Sequence, residues 1–188
     1  MRAIICCFLV CFVAAGCTPD DQAPRSSASA RPVTPPPSPS PPPPPVTRQL
    51  DASAYGTKDT ICDLLTADQA KELNLPEPAT PQKIIDTAMV CSRQKPGAKR
   101  WLVEYELWLE GDLLGDMYRD GQSYELRSIE GQPATMRESK TGTYCILTVG
   151  LAEHAALKVT TFGHPKKAAC PLVTTMAKLI VQNLAQAR

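Results

Sequence analysis

Four cysteines, Cys62, Cys91, Cys145 and Cys170, are the residues of this sequence whose type and spacing bear most directly on chemistry. An even number of thiols in one folding segment predicts two disulfides formed outside a reducing cytosol. Intervals of 29, 54 and 25 residues contain no Cys-x-x-Cys knuckle, so no zinc or other metal site is expected. Four cysteines admit three connectivities. Cys62 with Cys91 and Cys145 with Cys170 is the favoured one, because each pair would join a helix end to a nearby strand. Closing loops of that size contributes roughly 3 to 4 kcal/mol each in the chain-entropy view, a large share of a domain's net stability.

The other reactive side chains do not assemble into a recognisable machine. Ser92-Arg93-Gln94-Lys95 has the Ser-x-x-Lys spacing, and Lys140-Thr141-Gly142 the Lys-Thr-Gly spacing, of penicillin-binding enzymes. That chemistry needs the serine to open a helix with its lysine one turn away, whereas Ser92 ends a strand pattern before Pro96. His154 and His164 sit at strand ends with no nucleophile or second ligand nearby in sequence. Glu104, Glu106, Asp112, Asp116 and Asp120 could offer oxygens to calcium, but alternation along a strand predicts a solvated face. Lys158, Lys166 and Lys167 read as ordinary surface. No catalytic residue, cofactor or enzymatic activity is therefore expected. Trp101 and Trp108 have opposite parity on one strand, so one belongs to the core and the other, Trp108, is the expected exposed contact residue of a binding surface.

The amino terminus reads as an address. Met1-Arg2 is followed by the apolar run Ala3 to Ala15, and 13 residues make a helix of roughly 20 Å, short of the roughly 30 Å hydrocarbon core. Residues 1–16 are thus expected to be a cleaved signal peptide rather than a membrane span. Ala14-Ala15-Gly16-Cys17 resembles the lipobox of bacterial lipoproteins, with Ala14 where leucine is usual. The resemblance makes Cys17 the expected site of lipidation, palmitate or a related acyl chain, and hence of membrane attachment on the extracytoplasmic face. Residues 17–58 then read as a disordered, proline-rich tether, since 12 of the 19 prolines fall between Pro19 and Pro45. As polyproline II, Pro32 to Val46 would extend roughly 45 Å.

These cysteines need elements to position them, and residues 59–188 are of a length and composition suited to one domain. From Leu50 onward 16 Lys and Arg stand against 17 Asp and Glu, so no nucleic-acid partner is expected. Thr66-Ala67-Asp68-Gln69 has capping-box form and opens a short helix that Pro76 bounds. Ala88 to Gln94 and Arg100 to Leu109 flank the turn Lys95-Pro96-Gly97-Ala98-Lys99, and the second run alternates Trp101, Val103, Tyr105 and Leu107 against glutamates. Leu113, Leu114, Met117 and Tyr118 predict a second short helix. Tyr124 to Ile129, Pro133 to Arg137, Tyr144 to Leu151 and Ala155 to Phe162 predict four strands in a meander. Pro171, at a first helical position, opens a last helix with the stripe Val173, Ala177, Ile180, Val181 and Leu184. The order α-β-β-α-β-β-β-β-α predicts an α+β fold, an antiparallel sheet of about six strands packed by three helices.

Several segments then align with one family. Cys62-Asp63-Leu64-Leu65-Thr66 leading into a helix, Cys91, Ile129-Glu130-Gly131-Gln132-Pro133-Ala134, Cys145-Ile146-Leu147-Thr148-Val149, and Cys170 opening an Ala/Val/Leu helix together resemble domain of unknown function 3558. Members of that family commonly carry an aromatic two places after the second cysteine, where Arg93 stands here, and a proline before the last, where Ala169 stands. The resemblance implies an actinobacterial envelope lipoprotein with a disulfide-bearing domain, and it carries no known activity across. The expected role is that of a non-enzymatic module binding an envelope protein partner. The alternative is a carrier of a lipid or small hydrophobic ligand, which requires a cavity between sheet and helices.

Overall fold

A computed structural model describes residues 44–94, 101–119, 124–164 and 168–187, with the side chains of Tyr118 and Arg119 excepted. Residues 1–43, which include the expected signal peptide, Cys17 and most of the expected tether, and also the expected turn at residues 95–99, Asp120 and Lys166-Lys167 lie outside the described residues. Every described residue belongs to one compact unit, residues 40–188.

Thr66 opens α1 (Ala67–Glu72) as the capping-box spacing requires. Its hydroxyl accepts from the Gln69 backbone N–H at 3.2 Å, and the Gln69 side chain accepts from the Thr66 N–H at 3.0 Å. The strands follow as β1 (Ala79–Ile85), β2 (Ala88–Gln94), β3 (Leu102–Trp108), β4 (Glu125–Ile129), β5 (Gln132–Glu138), β6 (Cys145–Ala152) and β7 (Ala155–Phe162). Helix α2 (Leu113–Arg119) separates β3 from β4, and α3 (Ala169–Gln186) closes the domain. Two single-turn 3₁₀ helices, Ser53–Tyr55 and Ile61–Leu64, precede α1.

The seven strands form one open sheet in the order β1-β2-β3-β7-β6-β5-β4, antiparallel throughout. Two meanders, β1 to β3 and β4 to β7, are joined through the β3–β7 pairing. The α+β class, the three helices and the meander match expectation; the strand count is seven rather than about six. The additional strand is β1, whose residues are nearly all exposed and include Pro81. It has neither alternation nor an apolar run, and backbone pairing to β2 alone makes it a strand.

One face of the sheet carries the core. Tyr105, Leu107, Leu147, Val149, Leu157 and Val159 meet Val173, Met176, Ala177, Ile180, Val181 and Leu184 of α3, all fully buried. Helix α3 begins at Ala169, so Pro171 is its third residue and not its first. That position costs nothing, because the first four N–H groups of a helix have no partner within it. Asn183 of α3 donates to the Leu64 carbonyl at 2.9 Å and exchanges hydrogen bonds with Gln69, which locks α1 onto α3. The core also includes Leu50 and Ala52, upstream of residue 59, and the Leu50 N–H donates to the Leu151 carbonyl at 2.8 Å. Helix α2 lies on the opposite face across β5, β6 and β7. Gly150 admits it: a Cβ there would stand 2.8 Å from Val46 Cγ2 and 3.1 Å from Leu114 Cδ2.

Candidate functional site: sheet edges and the uncovered face

The cysteines pair as expected. Cys62 in the Ile61–Leu64 turn bonds Cys91 of β2, and Cys145 of β6 bonds Cys170 at the start of α3, each with Cα atoms 5.2 Å apart. Both bridges sit on the core face: one staples the Ile61–Leu64 turn to the sheet and the other staples α3 itself. All four sulfurs are consumed in structure.

Around the first bridge lies a charge held inside the fold. Arg93 projects from β2 on the core face and is 4% exposed. Its guanidinium donates to Glu77 Oε1 at 2.6 Å and lies 3.5 Å from the Pro76 carbonyl. Beside it the Tyr105 hydroxyl donates to the Cys62 carbonyl at 3.0 Å, and burial pushes the Tyr105 phenol above its ordinary value despite the nearby Arg93 cation. Arg93 is thus a buried charge with its own counter-ion.

The opposite face is more polar than a core and less wet than the alternation predicted. Glu106 is 8% exposed and accepts from Lys158 Nζ at 2.8 Å and from Trp108 Nε1 at 3.1 Å. Glu104 accepts from the Ser92 hydroxyl at 2.8 Å. The expected solvated acidic face is therefore corrected at these two glutamates: β3 is a central strand, so its neighbours shield both. Thr135, Thr148 and Thr160 add buried hydroxyls that make no hydrogen bond. Toward the far end of that face the guanidinium of Arg137 lies 5.6 Å from the Tyr124 ring centroid and 5.7 Å from that of Tyr144, which stacks on Phe162 at 4.7 Å.

The residues singled out for chemistry stay apart. Ser92 lies within β2. His154, in the β6–β7 turn, is 3.9 Å from Glu153 Oε1, while His164 follows the other end of β7 and meets Trp101 edge to face at 5.7 Å. Asp112 accepts from the Gly115 backbone N–H at 3.0 Å, capping α2. Among the described residues no group of three or more His, Cys, Asp or Glu is placed to hold a metal ion. Trp108 is half-buried rather than exposed, because its indole is turned to Glu106.

Of the large apolar side chains exposed among the described residues, all but Phe162 of β7 lie on the two edge strands. Ile84 and Ile85 of β1 are 43% and 49% exposed, and Leu126 of β4 is 45% exposed. Ile85 pairs with Ala88 and Ala88 with Trp108, so Ile85, Ala88 and Trp108 form one row on the face opposite the core. Sequence reading missed Ile84 and Ile85 along with their strand. At the other edge a groove of about 580 Å³ runs between β4–β5 and α3, floored by Ile129, Met136 and Leu147 and rimmed by Arg127 and Lys178. No described helix is long and apolar enough to cross a membrane.

No curated protein and no solved structure matches the chain. The family described as protein of unknown function (DUF3558) matches residues 12–183, nearly the whole sequence. Its span includes both disulfides, the whole sheet and all but the last turn of α3, and the chain belongs to this family.

Proposed function

We propose that the protein is a non-enzymatic binding module of the cell envelope, exported by its apolar amino terminus and anchored to the extracytoplasmic face of the membrane through lipidated Cys17. The finer attributes of an actinobacterial lipoprotein follow from the same reading: small residues before Cys17, a proline-rich spacer, and a domain that uses every remaining cysteine in a disulfide. The contact surface is formed by the exposed Ile84 and Ile85 with the half-buried Trp108, which shares the row of Ile85 across the fully buried Ala88. Two aliphatic side chains more than two-fifths exposed, at a sheet edge next to an indole, are the observation that supports a protein partner, since such patches with an aromatic anchor favour protein contacts.

A photo-crosslinker at Ile85, in the full chain expressed in its host, tests this. The expected result is one discrete adduct that disappears when Ile84→Asp and Trp108→Ala are introduced. Absence of any adduct, or adducts that ignore these changes, would overturn the reading.

The groove beside α3 favours the carrier as a second reading. Its apolar floor suits a short acyl chain, with Lys178 at the rim for an anionic head; Arg127 is paired with Glu125, and Glu138 also lines the groove. Native mass spectrometry of the full chain would then find a discrete mass that leaves on unfolding and is lost in Met136→Asp.

A further inference from the structure

The two edges of the sheet are built differently. Strand β1 carries Pro81, a lysine at Lys83 and a register shift between Lys83 and Ile85, each of which hinders further pairing. Strand β4 has none of these: it is free of proline and lysine, its register to β5 is unbroken, and four of its five residues are exposed. An unprotected edge is a template for another strand.

The backbone groups that β4 offers follow from its hairpin. Glu130 and Gly131 form a two-residue turn with φ of 51° and 80°, both positive as a type I′ turn requires. Ile129 and Gln132 flank it and make a hydrogen-bonded pair. Alternation then directs the N–H and C=O of Ile129, Arg127 and Glu125 toward β5 and those of Ser128 and Leu126 toward the other side, where no described strand pairs with β4.

Side chains select what fits there. Glu125 and Arg127 lie on one face, 58% and 47% exposed, with Arg127 Nη2 at 2.6 Å from Glu125 Oε2, and Leu126 lies on the other. We infer that β4 pairs with β4 of a second copy of this chain, antiparallel and centred on Leu126, to make one continuous sheet across a twofold axis. In that register Leu126 faces Leu126 as a hydrogen-bonded pair, and Tyr124 faces Ser128. Glu125 faces Arg127 at both non-hydrogen-bonded positions, where opposing side chains approach most closely. Shifting by two residues sets Arg127 against Arg127 or Glu125 against Glu125, which like-charge repulsion disfavours. The twofold keeps both copies of α3 on the same side, as an isologous contact demands. This surface is separate from the partner row at Trp108.

Sedimentation equilibrium of the full chain in density-matched detergent micelles tests the pairing. The wild-type chain is expected to dimerise reversibly. Glu125→Arg and Arg127→Glu, each creating like-charge pairs at both symmetric positions, should weaken association at least about tenfold. The double variant E125R/R127E restores opposite charges in the same register and should recover affinity to within about threefold. Lys71→Glu, on the exposed side of α1, should leave association unchanged, and circular dichroism with thiol counting shows that the variants fold. A wild-type chain that stays monomeric up to about a millimolar, single variants that associate like wild type, or a double variant as weak as the singles would each overturn the inference.

Discussion

Tyr105 and Arg93 lie side by side on the core face, and the buried phenol makes the domain sensitive to alkaline pH. The Tyr105 side chain is fully buried and its phenol is raised above the ordinary value of about 10, with desolvation the leading cause. The folded state therefore keeps its proton where the unfolded chain releases it. Stability is fully present below about pH 10 and is lost as pH rises toward the folded value. Tyr105→Phe should remove about 1 kcal/mol with the hydrogen bond to the Cys62 carbonyl, and should also abolish this alkaline decline. Urea titrations of both proteins between about pH 8 and pH 11 check it; parallel alkaline curves would show that another group is responsible. Arg93 is the opposite case, a charge that burial would penalise were Glu77 not bonded to it. Two cysteines can be recognised in a sequence by type alone, but the ion pair 16 residues apart that shields one bridge cannot, because Glu77 lies in a stretch without periodicity.

Among the elements, the helices divide their labour by face. Helix α3 completes the core, and its apolar stripe was legible because period 3.6 survives for 18 residues. Helix α2 covers only part of the other face, and it reaches the sheet over Gly150. Gly150→Val should cost about 1 to 3 kcal/mol through overpacking against Val46 and Leu114, with Leu114→Ala in the same chain returning part of that loss. Additive losses in chemical denaturation would mean that α2 does not rest there. Strand β1 escaped sequence reading for a physical reason: an edge strand exposed on both faces has no burial pattern to impose on its residues. Its Ile84 and Ile85, now part of the candidate contact surface, were hidden by the same cause.

For the whole domain, the core begins before the composition changes. Leu50 is 1% exposed although it follows a proline-rich run, and Gln132 donates to the Arg48 carbonyl at 2.8 Å. A chain starting at Asp59 should be less stable than one starting at Pro44 by at least about 2 kcal/mol, the burial of one leucine with its hydrogen bonds. Thermal unfolding of the two chains checks this, and equal midpoints would return residues 44–58 to the tether. By itself the sequence pointed to two bridges without fixing their connectivity and marked the three helices and six of the seven strands, because even cysteine counts, capping residues and hydrophobic periods are local properties of the chain. Only the tertiary structure decided which glutamates are shielded, where β1 lies, and which edge stays open. Those depend on which strands become neighbours, and neighbours such as β3 and β7, 48 residues apart at their closest paired ends, are chosen by packing of the whole sheet rather than by any stretch of residues within it.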